Sequence, residues 1–207
     1  LKQKMEIVTL SKYPGYTIKT DYFPYDETRE IIKGVDYWWT HETRSKHKAS
    51  NYQLDPSLIN SIETSLTMRL HSGNFSFVYY KEQVFLFGGL KINQHHEAWI
   101  HRAATHPVLG KQHIGANSAI LMPHQAKVAY ERGCKSYNIS FNEHNLKFYT
   151  YYKEKHYYKR RNPITGGEKF MDAFEYLGKQ HLYEQEQYVA RLDLTRHDIE
   201  SILDINP

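Results

Sequence analysis

The chain has 207 residues, of which 40% are apolar, 14% aromatic and 24% charged, and 27 basic against 23 acidic side chains leave a formal net charge of +4. That composition excludes a disordered chain, a collagen-like repeat and a coiled-coil array, and the charge excess is too small to argue for nucleic acid as the main partner. A single cysteine, Cys134, excludes an intramolecular disulfide and a multi-cysteine zinc site. No apolar run approaches the ~18 residues of a membrane span, the longest being Val84–Leu90. With no secretory leader visible, the expectation is a soluble cytoplasmic protein.

No repeat, low-complexity segment or Gly/Ser/Pro linker divides the chain, so one domain over residues 1–207 is expected. The first ten residues carry no pattern. Tyr16–Tyr22 reads as a strand, and Asp26 caps a short helix to Lys33. Asp55 and Pro56 open a clearer helix, on which Leu58, Ile59, Ile62, Leu66 and Leu70 recur at helical spacing. Three β runs follow, Phe75–Tyr80, Val84–Leu90 and Ala98–Thr105, separated by polar turns and read as an antiparallel meander. After His106-Pro107 and a Gly-containing loop comes a helix, Ala116–Arg132, then a strand, Tyr137–Phe141. A helix between two strands is a crossover, so the Ala98–Thr105 and Tyr137–Phe141 strands should be parallel neighbours.

The next expected elements are a helix over Asn145–Lys155, a strand over Tyr157–Arg160 and a helix over Glu168–Tyr176. Gln187–Leu194 alternates as a half-buried strand, and Thr195 begins a last short helix. The fold class is α+β, with a mixed central sheet flanked by helices. Residues about 75–160 form its core, and about 162–207 form a C-terminal elaboration.

The chemistry is concentrated between Phe75 and Tyr158. A strand that feeds a glycine-containing turn and opens a helix points several backbone N–H groups one way, and the helix dipole adds partial positive charge there. The stretch Gln112-His113-Ile114-Gly115-Ala116-Asn117 has that form and suits a phosphate or diphosphate. As a lone motif it also fits an ordinary turn.

In its context, the order of elements from Phe75 to Arg160 resembles the GNAT superfamily of acyl-CoA-dependent N-acyltransferases. Ile100–Pro107 matches that family's hydrophobic strand ending in His-Pro. Gln112 and Gly115 match the first and fourth positions of its Gln/Arg-x-x-Gly-x-Gly/Ala loop. Ile120 and Leu121 match the aliphatic pair in the following helix. Asn145 and Tyr151 keep the spacing of the family's Asn and Tyr. Four departures stand out. Asn117 replaces the loop's last small residue, the segment before Gln112 is longer than usual, Pro123 lies inside the expected helix, and Lys155-His156 replaces a Gly-Phe.

The resemblance implies a GNAT-like sheet in which an antiparallel meander adjoins a parallel, splayed strand pair. It implies an N-acyltransferase that moves an acyl group, most simply acetyl from acetyl-CoA, to a primary amine by direct attack. The acceptor would be a small-molecule amine or a protein amino group. Ala103, Ala104 and Thr105 would bond the pantetheine arm together with Asn145. Gln112, His113, Gly115, Ala116 and Asn117 would hold the diphosphate. Tyr151 would protonate the leaving thiolate, since a phenol titrating near 10 suits that task. Glu97 and His101 are the two candidates for the base.

Each assignment has a plainer counterpart. Tyr151 sits among Tyr149, Tyr152, Tyr157 and Tyr158, which read equally as packing aromatics. Either Tyr149 or Tyr152 takes the acid's place if the register slips. His95, His96, His101, His106 and His113 lack nearby partners for a zinc set, so no metal is expected. Lys153–Arg161 carries five basic residues and reads first as a solvated face. The alternative functions are an inactive module of the same fold that binds CoA or another anion, and, more remotely, a nucleic-acid-interacting protein.

Overall fold

The structure is a computed structural model that describes residues 6–20, 73–106, 109–141, 148, 151–152, 164–182 and 185–204. The helices read at Asp26–Lys33 and from Asp55, the strand Tyr157–Arg160, and Asn145 all lie outside the described residues.

Eight strands form one mixed sheet in the order β1-β2-β3-β4-β5-β6-β8-β7. They are β1 (Glu6–Thr9), β2 (Tyr16–Thr20), β3 (Gly73–Tyr80), β4 (Gln83–Ile92), β5 (Glu97–Thr105), β6 (Ser136–Phe141), β7 (Glu175–Leu182) and β8 (Gln185–Asp193). The pairs β1–β2, β2–β3, β6–β8 and β7–β8 are antiparallel. β5 and β6 run parallel, as the intervening helix requires. Their ladder covers Glu97↔Ser136, Ala98↔Tyr137 and Trp99↔Asn138. β5 continues beyond it to Thr105, and β6 to Phe141.

The chain forms two compact units, one of residues 1–89 with 101–113 and one of residues 90–100 with 114–207, and β4 and β5 contribute to both. In the first unit Ile18, Phe77, Val78, Phe85 and Phe87 are buried, with the Phe77 and Phe87 rings stacked at 5.9 Å. The run Val84–Leu90 is buried at every position, which is why it reads as unbroken apolar sequence rather than as an alternation. In the second unit β6 carries Tyr137, Ile139 and Phe141 into a core with Phe148, Tyr152, Phe170 and Tyr188. Burying each such large apolar side chain contributes about 1.5–3 kcal/mol.

The helix read over Ala116–Arg132 is a π turn, Asn117–Leu121, that continues into α1, Met122–Glu131. Pro123 is the second residue of α1, directly after the π turn. The π turn ends as Met122 N–H donates to the Asn117 carbonyl, so the helix widens ahead of the proline and is not broken by it.

Two expectations are corrected, and a stretch without a readable pattern gains an element. The N-terminal residues do form a strand, β1. It lies at the sheet's edge and three of its four residues are exposed, so it shows no alternation. The helix read over Glu168–Tyr176 ends early, as α2 (Gly167–Asp172), and Glu175 and Tyr176 begin β7. A register shift between Tyr176 and Gly178, the latter at φ +79°, interrupts the two-residue period that would have revealed this strand. Thr195 does not cap the last helix. Its N–H and hydroxyl both donate to Asp193 Oδ1, and α3 (Ile199–Leu203) starts after Asp198.

Candidate active site

The loop that bears the anion-binding pattern follows β5 through a 3₁₀ turn, Leu109–His113. Gly115 has φ +103°, a conformation that side-chain-bearing residues rarely adopt, so glycine is required there. The next helical bond runs from Ala119 N–H to the Gly115 carbonyl. The amides at the start of this helix precede its own hydrogen-bond ladder and are the type of donors that hold phosphate oxygens. Gly115 and Ala116 are buried and Gln112 is exposed. Asn117 Oδ1 is buried and accepts no hydrogen bond.

His113 faces the interior of the first unit. Its ring lies 4.3 Å from that of Phe85 and 4.9 Å from that of Tyr80, and its Nδ1 is 2.6 Å from Tyr16 Oη. Burial lowers the His113 pKa below that of a free imidazole. Burial, and then the neighbouring Tyr80, raise that of Tyr16. Both groups therefore favour their neutral forms, and the phenol donates to an unprotonated nitrogen. His113 thus places a side-chain anchor next to the turn, and only its backbone adjoins the amides that open the helix.

Glu97 opens β5 inside a polar network. Its carboxylate accepts from Asn93 Nδ2 at 2.9 Å and pairs with Arg191 Nη2 at 3.1 Å. Arg191 Nε donates to Asn138 Oδ1, while Asn138 Nδ2 donates to the Ala98 carbonyl and to Ser136 Oγ. This network ties β5, β6 and β8 together at the parallel ladder. His101 and Ala104 lie on β5 with Ala103 and Thr105, the last two being exposed.

Tyr151 and Tyr152 are helical and border an open cavity of about 530 Å³ in the second unit. Among the described residues, Phe174 and Tyr176 add to its aromatic lining. Glu168 and Asp172, one helical turn apart on α2, supply carboxylates. The Tyr151 hydroxyl donates to Asp172 Oδ1. Tyr152 is buried and donates to the Met171 carbonyl at 3.0 Å. Burial pushes its pKa far above that of a free phenol, which favours its neutral form. Sequence reasoning missed Asp172 and Glu168. Their only signal was a four-residue spacing just after Gly166-Gly167.

The fold is that of GNAT-family acetyltransferases. A putative acetyltransferase of that family from Desulfovibrio desulfuricans superposes with a TM-score of 0.57 at 11% identity, over 87% of this chain and 99% of that one. The ribosomal-protein-S18-alanine N-acetyltransferase of Escherichia coli gives 0.53 at 12% identity, over 87% and 95%. A Bacillus subtilis acetyltransferase in complex with CoA gives 0.51 at 11% identity, over 92% and 99%. No sequence-family profile matches the chain, and no curated protein matches it in sequence.

Among the described residues, no group of three or more His, Cys, Asp and Glu is placed to hold a metal. No helix among them is long and apolar enough to cross a membrane. Cys134 is buried, and that burial raises its thiol pKa, which disfavours the nucleophilic thiolate.

Proposed function

We propose that the chain is an N-acyltransferase that moves an acyl group, most simply acetyl, from acyl-CoA to a primary amine. The observation that carries this reading is the left-handed turn at Gly115, set directly ahead of the helix that follows β5 in a GNAT fold. In the proposal the amides of Gly115, Ala116 and Asn117 receive the diphosphate, flanked by Gln112 and the His113 backbone. Ala103, Ala104, Thr105 and Asn145 receive the pantetheine arm. The short β5–β6 ladder supports this, because both strands run past its last pair, Trp99↔Asn138. The unpartnered Asn117 Oδ1 calls for a donor. Diphosphate oxygens lack one, and the amide and hydroxyl groups of pantetheine have one.

The amine nitrogen attacks the thioester carbonyl carbon. A C–N bond forms, the C–S bond breaks, and the departing thiolate takes a proton from Tyr151. The ammonium proton leaves to a base on β5, for which His101 and Glu97 are the candidates. Glu97 is held by Arg191 and Asn93, and the pH–rate profiles of substitutions at the two positions distinguish them.

Thiol release from acetyl-CoA with a panel of amines, run beside a thermal-shift titration with CoA, tests the reading. Stabilisation by CoA together with amine-dependent release is expected. Tyr151→Phe should slow release about 10²-fold and leave the CoA shift intact. Stabilisation without release from any amine would favour a binding module. No stabilisation at millimolar CoA would overturn both.

A further inference from the structure

The segment between β5 and Gln112, longer than in the family it resembles, folds back on the strand it leaves. It is pinned at its start: His106 N–H donates to the Phe85 carbonyl at 2.7 Å, Gly110 N–H to the His106 carbonyl at 2.8 Å, and Leu109 N–H to His106 Nδ1 at 3.1 Å. It is pinned again at its end, where the His113 ring packs against Tyr16, Tyr80 and Phe85 on three neighbouring strands. Between the two lies Gly110, buried and seated on Thr105, the last residue of β5. A Cβ at Gly110 would stand 2.3 Å from Thr105 Cγ2 and 3.6 Å from Thr105 Cβ. The Gly110 backbone lies outside the left-handed region, so space, and not conformation, excludes a side chain there. Threonine is stiff at χ1, so its methyl does not turn aside freely.

This contact joins two places to which the acyl-transfer reading gives different parts of one ligand. Ala103, Ala104 and Thr105 receive the pantetheine arm, and Gln112 and the His113 backbone flank the diphosphate. A ligand that engages both gains from their linkage only when the spacing between them is right. We propose that Gly110 is a positioning residue for acyl-CoA: by letting the turn close onto Thr105, it sets the spacing between the strand and the turn. The inference rests on the acyl-transfer reading for the identity of the ligand. The contact itself stands on the geometry of Gly110 and Thr105.

Calorimetric titration of the full chain with CoA and with adenosine 3′-phosphate 5′-diphosphate tests the role. The second probe keeps the phosphates and lacks the pantetheine arm. Gly110→Ala should weaken CoA about tenfold and leave the fragment within about twofold. Thr105→Ser removes the methyl that the new Cβ would meet, so the double variant should bind CoA as the parent does. His106→Leu loosens the same turn without touching Gly110, because it removes the acceptor of Leu109 N–H. It should also weaken CoA and spare the fragment, while His106→Asn, which keeps an acceptor, should not. That pair tests the spacing if Gly110→Ala fails to fold. Folded variants with unchanged CoA affinity, equal losses for CoA and fragment, or a loss that Thr105→Ser does not undo would overturn the inference.

Thiol release separates this inference from the reading beneath it. Gly110→Ala should raise KM for acetyl-CoA about tenfold with kcat at saturation within about twofold, a split that mere loss of folded protein does not produce. CoA affinity that depends on Gly110 without thiol release from any amine would sink acyl transfer and leave the positioning role. Thiol release with CoA affinity indifferent to Gly110→Ala would leave acyl transfer and sink the positioning role.

Discussion

Tyr16 and His113 are 97 positions apart in the chain, yet Tyr16 Oη lies 2.6 Å from His113 Nδ1. His113 ends the 3₁₀ turn two residues before Gly115, so this bond anchors one end of the loop proposed to hold the diphosphate. The aromatic contacts of Tyr16 with Tyr80 and Phe85 do not need its hydroxyl. Tyr16→Phe therefore removes the bond and keeps the packing. It should cost about 1 kcal/mol of stability and weaken CoA by several-fold with kcat for bound acetyl-CoA little changed. Urea unfolding and a CoA titration measure the two effects. Unchanged CoA affinity in a variant that does lose stability would make the pair a packing feature without influence on the loop.

The network around Asn138 holds one of the two candidate bases, Glu97. Glu97 and Arg191 are both partly exposed, so their ion pair is worth less than a buried one. Glu97→Gln should lower stability by no more than about 1 kcal/mol and leave the shape of the pH–rate profile intact. His101→Gln should lower kcat about 10²-fold and abolish the acidic limb of that profile. The reverse pattern would return the role to Glu97. Asn138 is fully buried, and its side chain bonds three partners. Asn138→Ala should therefore cost more than either, about 2–3 kcal/mol, because the partners lose their hydrogen bonds.

Much of the sheet was legible because its physics is local. The meander strands are continuous apolar or aromatic runs between polar turns. The parallel β5–β6 pair followed from the helix between them, a consequence of chain connectivity. Other features depend on contacts that no local pattern encodes. β7 was hidden because Gly178 breaks its alternation. The Tyr16–His113 bond joins residues with nothing in common in sequence. Asp172 belongs to no motif in the sequence, and only the fold brings it to Tyr151. Tyr151 itself came from a motif spacing whose other member, Asn145, lies outside the described residues.

Gly167 marks a close approach between α2 and the π turn. A Cβ added there would lie 2.6 Å from Ser118 Oγ and 3.0 Å from the Ser118 backbone carbon. Gly167→Ala should destabilise the chain by about 1–3 kcal/mol and shift α2, which carries Glu168 and Asp172. Adding Ser118→Gly should recover only part of the loss, since the backbone contact remains. Urea unfolding of the single and double variants measures both. Full recovery would mean that the hydroxymethyl group alone is the obstacle.

His124 sets an acid limit on stability. It is buried on α1, and its pKa is lowered from 6.5 to about 4, first by burial and then by the charge of Lys127. Below pH 6.5 the unfolded chain takes up a proton at this imidazole that the folded chain refuses. Stability from this group is thus complete above pH 6.5, declines as the pH falls, and levels off near pH 4. The whole loss is about 3 kcal/mol. His113, whose pKa is also lowered by burial, acts in the same direction. His124→Gln keeps a polar side chain of similar reach and cannot titrate, so its unfolding free energy should fall less steeply than that of the parent as the pH drops from 6.5 to 4. Urea denaturation at half-unit pH steps measures the two slopes. Equal slopes would mean that His124 is not the group that takes up the proton on unfolding.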